Sequence, residues 1–184
     1  MGVAASWNEA LRRFGDYVII ANDDVEITPT TIETFVAQAE LSDKLLFLCD
    51  IGQGFPFFLI KQAAVRLVGL FDEQFTPAYF EDTDYLHRLA LVGQKPVIIE
   101  GGVRHPAPEA AATTMREMDW RADLIVGQNR QRYIAKWGGL PGHETKSQLA
   151  LGLPRQLPPG GPMPVTDGSG NWVNPGALGR RHKG

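Results

Sequence analysis

Asp16-Tyr-Val-Ile-Ile-Ala-Asn-Asp-Asp-Val25 holds an unbroken apolar run that ends in three polar side chains. Tyr17 to Ala21 has the length of a strand, and apolarity at every position is what a strand covered on both faces requires. Asn22-Asp23-Asp24 then falls at the carboxyl end of that strand, where open α/β sheets bind their ligands. Two adjacent carboxylates there can hold a hard divalent cation through oxygen, and that cation can bridge a diphosphate. Asn and Asp also favour turns, and taken alone these three residues are accounted for by a turn.

Outward from this stretch the pattern alternates. Upstream, Trp7, Ala10, Leu11 and Phe14 fall at the spacing of a helical stripe, and Gly15-Asp16 ends it. Downstream, Thr28-Pro29 reads as a helix start with threonine as N-cap, followed by inward-facing Ile32, Phe35, Val36 and Ala39. Leu45 to Cys49 and Phe55 to Ile60 read as buried strands, Lys61 to Val68 as a short helix closed by Gly69, and Pro96 to Ile99 as a fourth strand. Glu81 to Val92 reads as a helix that buries Tyr85, Leu86, Leu89 and Ala90, and Met115 to Trp137 as a long one ended by Gly138-Gly139. This alternation predicts an α/β fold, a mostly parallel sheet with flanking helices.

Composition bounds the reading. The chain has 184 residues, 43% hydrophobic and 21% charged, enough for one domain with a real core. A net charge of −3 gives no footing for a nucleic-acid partner. The single cysteine, Cys49, excludes an internal disulfide and reads as a buried strand thiol. No apolar stretch reaches the length of a membrane span, and no basic-then-apolar leader pattern is present, so the expected compartment is the cytoplasm. Near residue 139 the composition changes. Residues 139–184 are rich in proline and glycine and end in Arg180-Arg181-His182-Lys183. They are expected to be an extended or disordered tail, anchored if at all by Leu149, Leu151, Leu153 and Trp172.

A second acidic cluster opens the predicted helix at Glu81. Glu81, Asp82 and Asp84 there compensate the helix dipole, and one of them can equally serve as a general base toward an acceptor hydroxyl. His105 follows the fourth strand and a Gly101-Gly102 turn. It is a possible metal ligand or acid-base group, and Pro106 beside it fits an ordinary loop. Phe55-Pro56-Phe57-Phe58 reads as core strand ahead of a sugar-stacking platform. Trp137-Gly138 reads as a buried aromatic with a glycine cap.

The order and spacing of these motifs resemble family 2 glycosyltransferases of the GT-A fold. Gly2-Val-Ala-Ala-Ser-Trp-Asn8, then Asp16 to Val25, is similar to the small-residue helix, strand and Asp-rich metal motif of that family. Gly69-Leu-Phe-Asp-Glu-Gln-Phe75 and Tyr79-Phe-Glu-Asp-Thr-Asp-Tyr85, with Arg88 and Gly93, resemble its acceptor-side block. His105 and Asn129 to Gly138 take the places of its later histidine and closing helix. The resemblance covers residues 2 to about 138 and defines residues 1–138 as a truncated GT-A-like domain. It implies inverting transfer of a sugar from a nucleotide-diphosphate donor to a carbohydrate or protein acceptor. Asp24, with Asp23, would hold Mn²⁺ or Mg²⁺ against the diphosphate, with His105 as a further ligand. Asp82 would be the base and Glu81 its support. The family's usual nucleoside-gripping front, about 60 residues in two βα units, is not matched in this sequence; either the sequence is a fragment, or that front comes from a separate N-terminal half or a second copy. A catalytically inactive binding or assembly module is the alternative. A nucleotidyltransferase is opposed by the acceptor-side block and by the lack of a glycine-rich loop near the start.

Overall fold

The computed structural model describes residues 2–13, 15–51, 54–104 and 112–147, with residues 165–166 and 172–173; side chains of 112–121 and of the last two pairs are outside it. The elements are α1 (Val3–Arg13), β1 (Tyr17–Ala21), β2 (Glu26–Ile27), α2 (Thr31–Glu40), β3 (Leu46–Cys49), β4 (Phe57–Lys61), α3 (Gln62–Val68), α4 (Glu81–Leu91), β5 (Val97–Ile99), β6 (Val103–Arg104) and α5 (Ala112–Trp137). A two-residue ladder, β7 (Val165–Thr166) with β8 (Trp172–Val173), falls in the expected tail. His105, Phe14 and the rest of residues 148–184 lie outside the described residues.

The main sheet has the order β1-β4-β3-β5. β4 runs antiparallel to both β1 and β3, while β3 and β5 are parallel. The fold is α/β with flanking helices, as expected, but the sheet is mixed and not mostly parallel. Three strands share a direction and the reversed one sits between two of them. An apolar run carries no information about direction, so the sequence pattern could not reveal the reversal.

Alternation of side chains across the pleat sorts the apolar runs onto two faces. Leu46, Leu48, Phe58 and Ile60 meet α1, α3 and α4 through Trp7, Leu11, Val65, Val68, Tyr85 and Leu89. Phe47, Phe57 and Leu59 meet Phe35 and Ala39 of α2 on the other side. β3 is buried along its whole length and so is β4 up to Lys61, which makes Phe55 to Phe58 core and not a platform. β1 is different. It stands at the sheet edge, with Tyr17 to Ile19 half-buried, Ile20 buried and Ala21 exposed, so two-sided coverage fails there.

Several local readings change. α2 begins at Thr31, not Thr28, because the Thr31 hydroxyl is drawn to the Gly102 carbonyl and to Thr28 N. Two residues, Glu26 and Ile27, first pair with β6. Ile32 and Ala90 face solvent, each at the margin of its helix's apolar stripe. The strand expected from Phe55 begins at Phe57, and the helix expected from Lys61 begins at Gln62.

α5 closes the domain. Tyr133 and Trp137 bury against Phe75. Residues 139–147 fold back, with Thr145 N and Lys146 N donating to the Trp137 carbonyl and Glu144 accepting from Tyr133.

Candidate active site

α1 fixes the approach to the site. Trp7 packs edge-on against Phe71 (ring centroids 4.9 Å apart). The next residue, Asn8, brackets the same position by its main chain. Its Nδ2 donates to the Phe71 carbonyl at 2.8 Å, and Phe71 N donates to Asn8 Oδ1 at 2.8 Å. The loop that leads to α4 is thereby tied to the helix that leads to β1.

At the end of β1, Asn22 N donates to the Pro56 carbonyl (2.8 Å), which fastens the strand exit to the entry of β4. Asn22 and Asp23 then line a cavity of about 510 Å³, together with Val3, Trp7, Pro77 and Tyr79. Asp23 is exposed to it. Asp24, its neighbour, is half-buried, with Oδ1 turned inward. The two residues form a turn after β1, and of the two predicted ligands only Asp23 is in the cavity wall.

Glu81 and Asp82 stand beside the cavity at the start of α4. Gly54, at φ +88°, lies against Asp82: a Cβ there would be 3.1 Å from Asp82 Oδ2. Asp82 Oδ1 accepts from Thr83 N (2.6 Å) and Thr83 Oγ1 (3.2 Å). Burial raises the Asp82 carboxyl above its usual value, and the Thr83 bonds offset part of that rise. Glu81 is 5% exposed, and its Oε2 has no hydrogen-bond partner among the described residues. Burial raises it to about 7, with its own backbone N–H opposing and the Asp82 charge adding. The Tyr79 hydroxyl is raised first by burial and then by the Glu81 charge. A carboxyl that titrates near neutrality is suited to proton transfer.

The structure therefore brings Asn22 and Asp23 to one cavity with Tyr79, and sets Glu81 and Asp82 next to it. Among the described residues no group of three His, Cys, Asp or Glu is placed to hold a metal ion. A Mg²⁺ or Mn²⁺ ion that takes most of its ligands from phosphate and water needs only one or two carboxylates, and Asp23 meets that requirement. Tyr79 and Asn129, both in stretches singled out by resemblance, gain roles that residue type alone did not signal. Asp84 and Arg88 form a fully buried ion pair (Nε to Oδ2, 2.8 Å), where first-turn acids had read as dipole compensation.

Comparison with known proteins gives one partial likeness. A stretch of 57 residues is 37% identical to a galactofuranosyl glycosyltransferase of Leishmania donovani, covering 31% of this chain and 13% of that protein. No family model matches, and no solved structure matches. The chain thus has a distant, partial similarity to a glycosyltransferase. No helix among the described residues is long and apolar enough to cross a membrane.

Proposed function

We propose that this chain is the metal- and acceptor-side part of an inverting, family 2-like glycosyltransferase of the GT-A fold. The observation that carries the reading is the pairing of Asp23 in the cavity wall with the buried Glu81 and half-buried Asp82, which follow the cavity-lining Tyr79 in the chain. The partial likeness to a galactofuranosyl glycosyltransferase supports it independently.

Asp82 acts as base: it takes the proton of an acceptor hydroxyl as that oxygen attacks the anomeric carbon. The bond from that carbon to the diphosphate breaks, and the nucleoside diphosphate leaves with the electron pair. Glu81 adjoins Asp82 and supports the proton transfer. Asp23, with Asp24 behind it, is the site for Mn²⁺ or Mg²⁺, which would neutralise the departing diphosphate. Trp7 and Tyr79 offer aromatic surface to a sugar ring in the cavity. The outer edge of β1, unpaired among the described residues, is where strands gripping the nucleoside would add.

The test is calorimetry on the full chain with a panel of nucleotide sugars, a galactofuranosyl donor included, with and without Mn²⁺. Metal-dependent binding is expected. Asp82→Asn should abolish transfer and leave that binding intact, and equal loss of both refutes the base assignment. A second reading, a binding or assembly module without catalysis, draws on the absence of a three-ligand metal group among the described residues. Failure of every donor to bind would favour it.

A further inference from the structure

Tyr79 and Phe80 stand at φ 77° and 76°, in the left-handed region that residues with a Cβ avoid. Two such residues in succession persist only where the surroundings hold them. Phe80 is also the residue before α4, and its side chain makes no capping bond to the first turn. The restraint comes from α5. Asn129 is fully buried. Its Nδ2 donates to the Ala78 carbonyl at 2.7 Å and to the Tyr79 carbonyl at 3.1 Å. Its Oδ1 accepts from Arg132 Nη1, which also reaches the Thr76 carbonyl at 3.5 Å. Every polar atom of the amide is engaged. The opposite orientation would set Oδ1 against two carbonyl oxygens, so these partners determine the amide's direction.

We infer that Asn129 is a positioning residue for the candidate active site: through the Ala78 and Tyr79 carbonyls it holds the left-handed turn that sends Tyr79 into the cavity wall and starts α4 at Glu81-Asp82. Its consequence for turnover rests on the transferase reading; the clamp itself does not. Phe80 packs on Tyr133 (5.5 Å between centroids) one turn further along α5, but a ring contact restrains a side chain and leaves the carbonyls free to turn. The Asn129 amide grips the backbone of the turn at both Ala78 and Tyr79. The turn's release would give the Glu81 carboxyl water that it lacks in the folded chain.

The test uses the full chain and needs no turnover. The Glu81 carboxyl is followed by ¹³C NMR titration, assigned by its loss in Glu81→Gln. In the wild type its midpoint is expected near 7. Asn129→Ala should lower that midpoint by about one unit or more as Glu81 is hydrated. Glycine holds a positive φ unaided, so in a Phe80→Gly background the same substitution should produce less than about half of that drop. A folded Asn129→Ala with an unmoved midpoint overturns the inference, and so does an equal drop in both backgrounds. If Asn129→Ala fails to fold, Phe80→Gly and Phe80→Gly/Asn129→Ala are compared directly, and a difference of about one unit between them overturns it. Where the wild type transfers sugar, Asn129→Ala should lower kcat about tenfold or more with the donor KM nearly unchanged. Loss confined to KM counts against positioning. A wild type that transfers nothing refutes the transferase reading and leaves the titration to decide the clamp.

Discussion

Replacing Asp84 by asparagine removes one negative charge from a site that keeps two positive ones. Asp84 is fully buried. Its Oδ2 accepts from Arg88 Nε at 2.8 Å, and its Oδ1 accepts from Trp137 Nε1 at 2.8 Å and meets Lys136 Nζ at 2.6 Å. Burial alone would raise this carboxyl. The Arg88 and Lys136 charges, with hydrogen bonds from Lys136 and Trp137, outweigh it and hold Asp84 below its usual value of 3.8. An amide of the same shape supplies one acceptor and one donor, so its NH₂ must face either Arg88 or the Lys136–Trp137 pair. Lys136 keeps Asp72 at 2.7 Å. Arg88 keeps the Val68 carbonyl at 2.5 Å and loses its only counter-charge among the described residues. Breaking a buried pair from one side costs about 3–5 kcal/mol, a large part of the roughly 5–15 kcal/mol that holds a domain folded. For a domain of this size that loss lowers the melting temperature by roughly 6–20 °C.

The assay is thermal and urea unfolding followed by circular dichroism, across pH. A carboxyl held below its unfolded value stabilises the fold above the unfolded value, and that contribution is lost as pH falls through the folded one. The gap between wild type and Asp84→Asn should therefore be full at neutral pH and close on acidification below pH 3.8. Replacing Asp84 and Arg88 together by apolar residues of similar size should cost less than Asp84→Asn alone, because both charges of the buried pair are removed and Lys136 keeps Asp72. A change under about 1 kcal/mol for Asp84→Asn would show that water or repacking replaces the lost charge, and would refute the account.

Glu81 should show the opposite pH dependence. Its carboxyl is raised to about 7 from 4.5, so its contribution is fully present below 4.5 and is lost as pH rises toward and through 7; Glu81→Gln should flatten that decline in urea titrations, and an unchanged slope would contradict it. Gly102 stands at φ +82° with the place of a Cβ 2.8 Å from Thr31 Oγ1. Gly102→Ala should therefore destabilise by about 2 kcal/mol in equilibrium unfolding, and a cost near zero would mean that the Thr28–Thr31–Gly102 contacts yield freely.

Much of this architecture was legible because burial on two faces leaves a plain mark. Leu46 to Cys49 and Phe57 to Ile60 are apolar throughout because each strand is covered above and below. The same rule misled at Tyr17 to Ala21. There the residues are equally apolar, but the strand lies at the edge and is half-covered. Coverage depends on neighbours in space, and a strand does not encode its neighbours. Asp84 and Arg88 were illegible for a related reason. Acid and base four apart on a helix usually form an exposed pair; here Tyr85, Trp137 and Lys136 close over them. Asn129 gave no chemical signal, since its role depends on two backbone carbonyls some fifty positions away.

The serial order of the motifs nevertheless has a geometrical content. Trp7 and Asn8, adjacent on α1, hold Phe71 by its ring and by its main chain. From Phe71 the chain passes Phe75, anchored under α5, to the turn at Tyr79-Phe80 and so to Glu81-Asp82. From α1 in the other direction it passes directly into β1 and Asn22-Asp23. The separation between the two acidic clusters is thus set by one helix that precedes both, and Asn22 N to Pro56 O closes the loop from the far side. A turn at Asn22 to Asp24 needs no such bracing, and neither does dipole compensation at Glu81. Asn22-Asp23 lines one cavity with Tyr79, and the turn at Tyr79-Phe80 leads straight into Glu81-Asp82; the two separate explanations leave that bracing unaccounted for, and a shared site requires it.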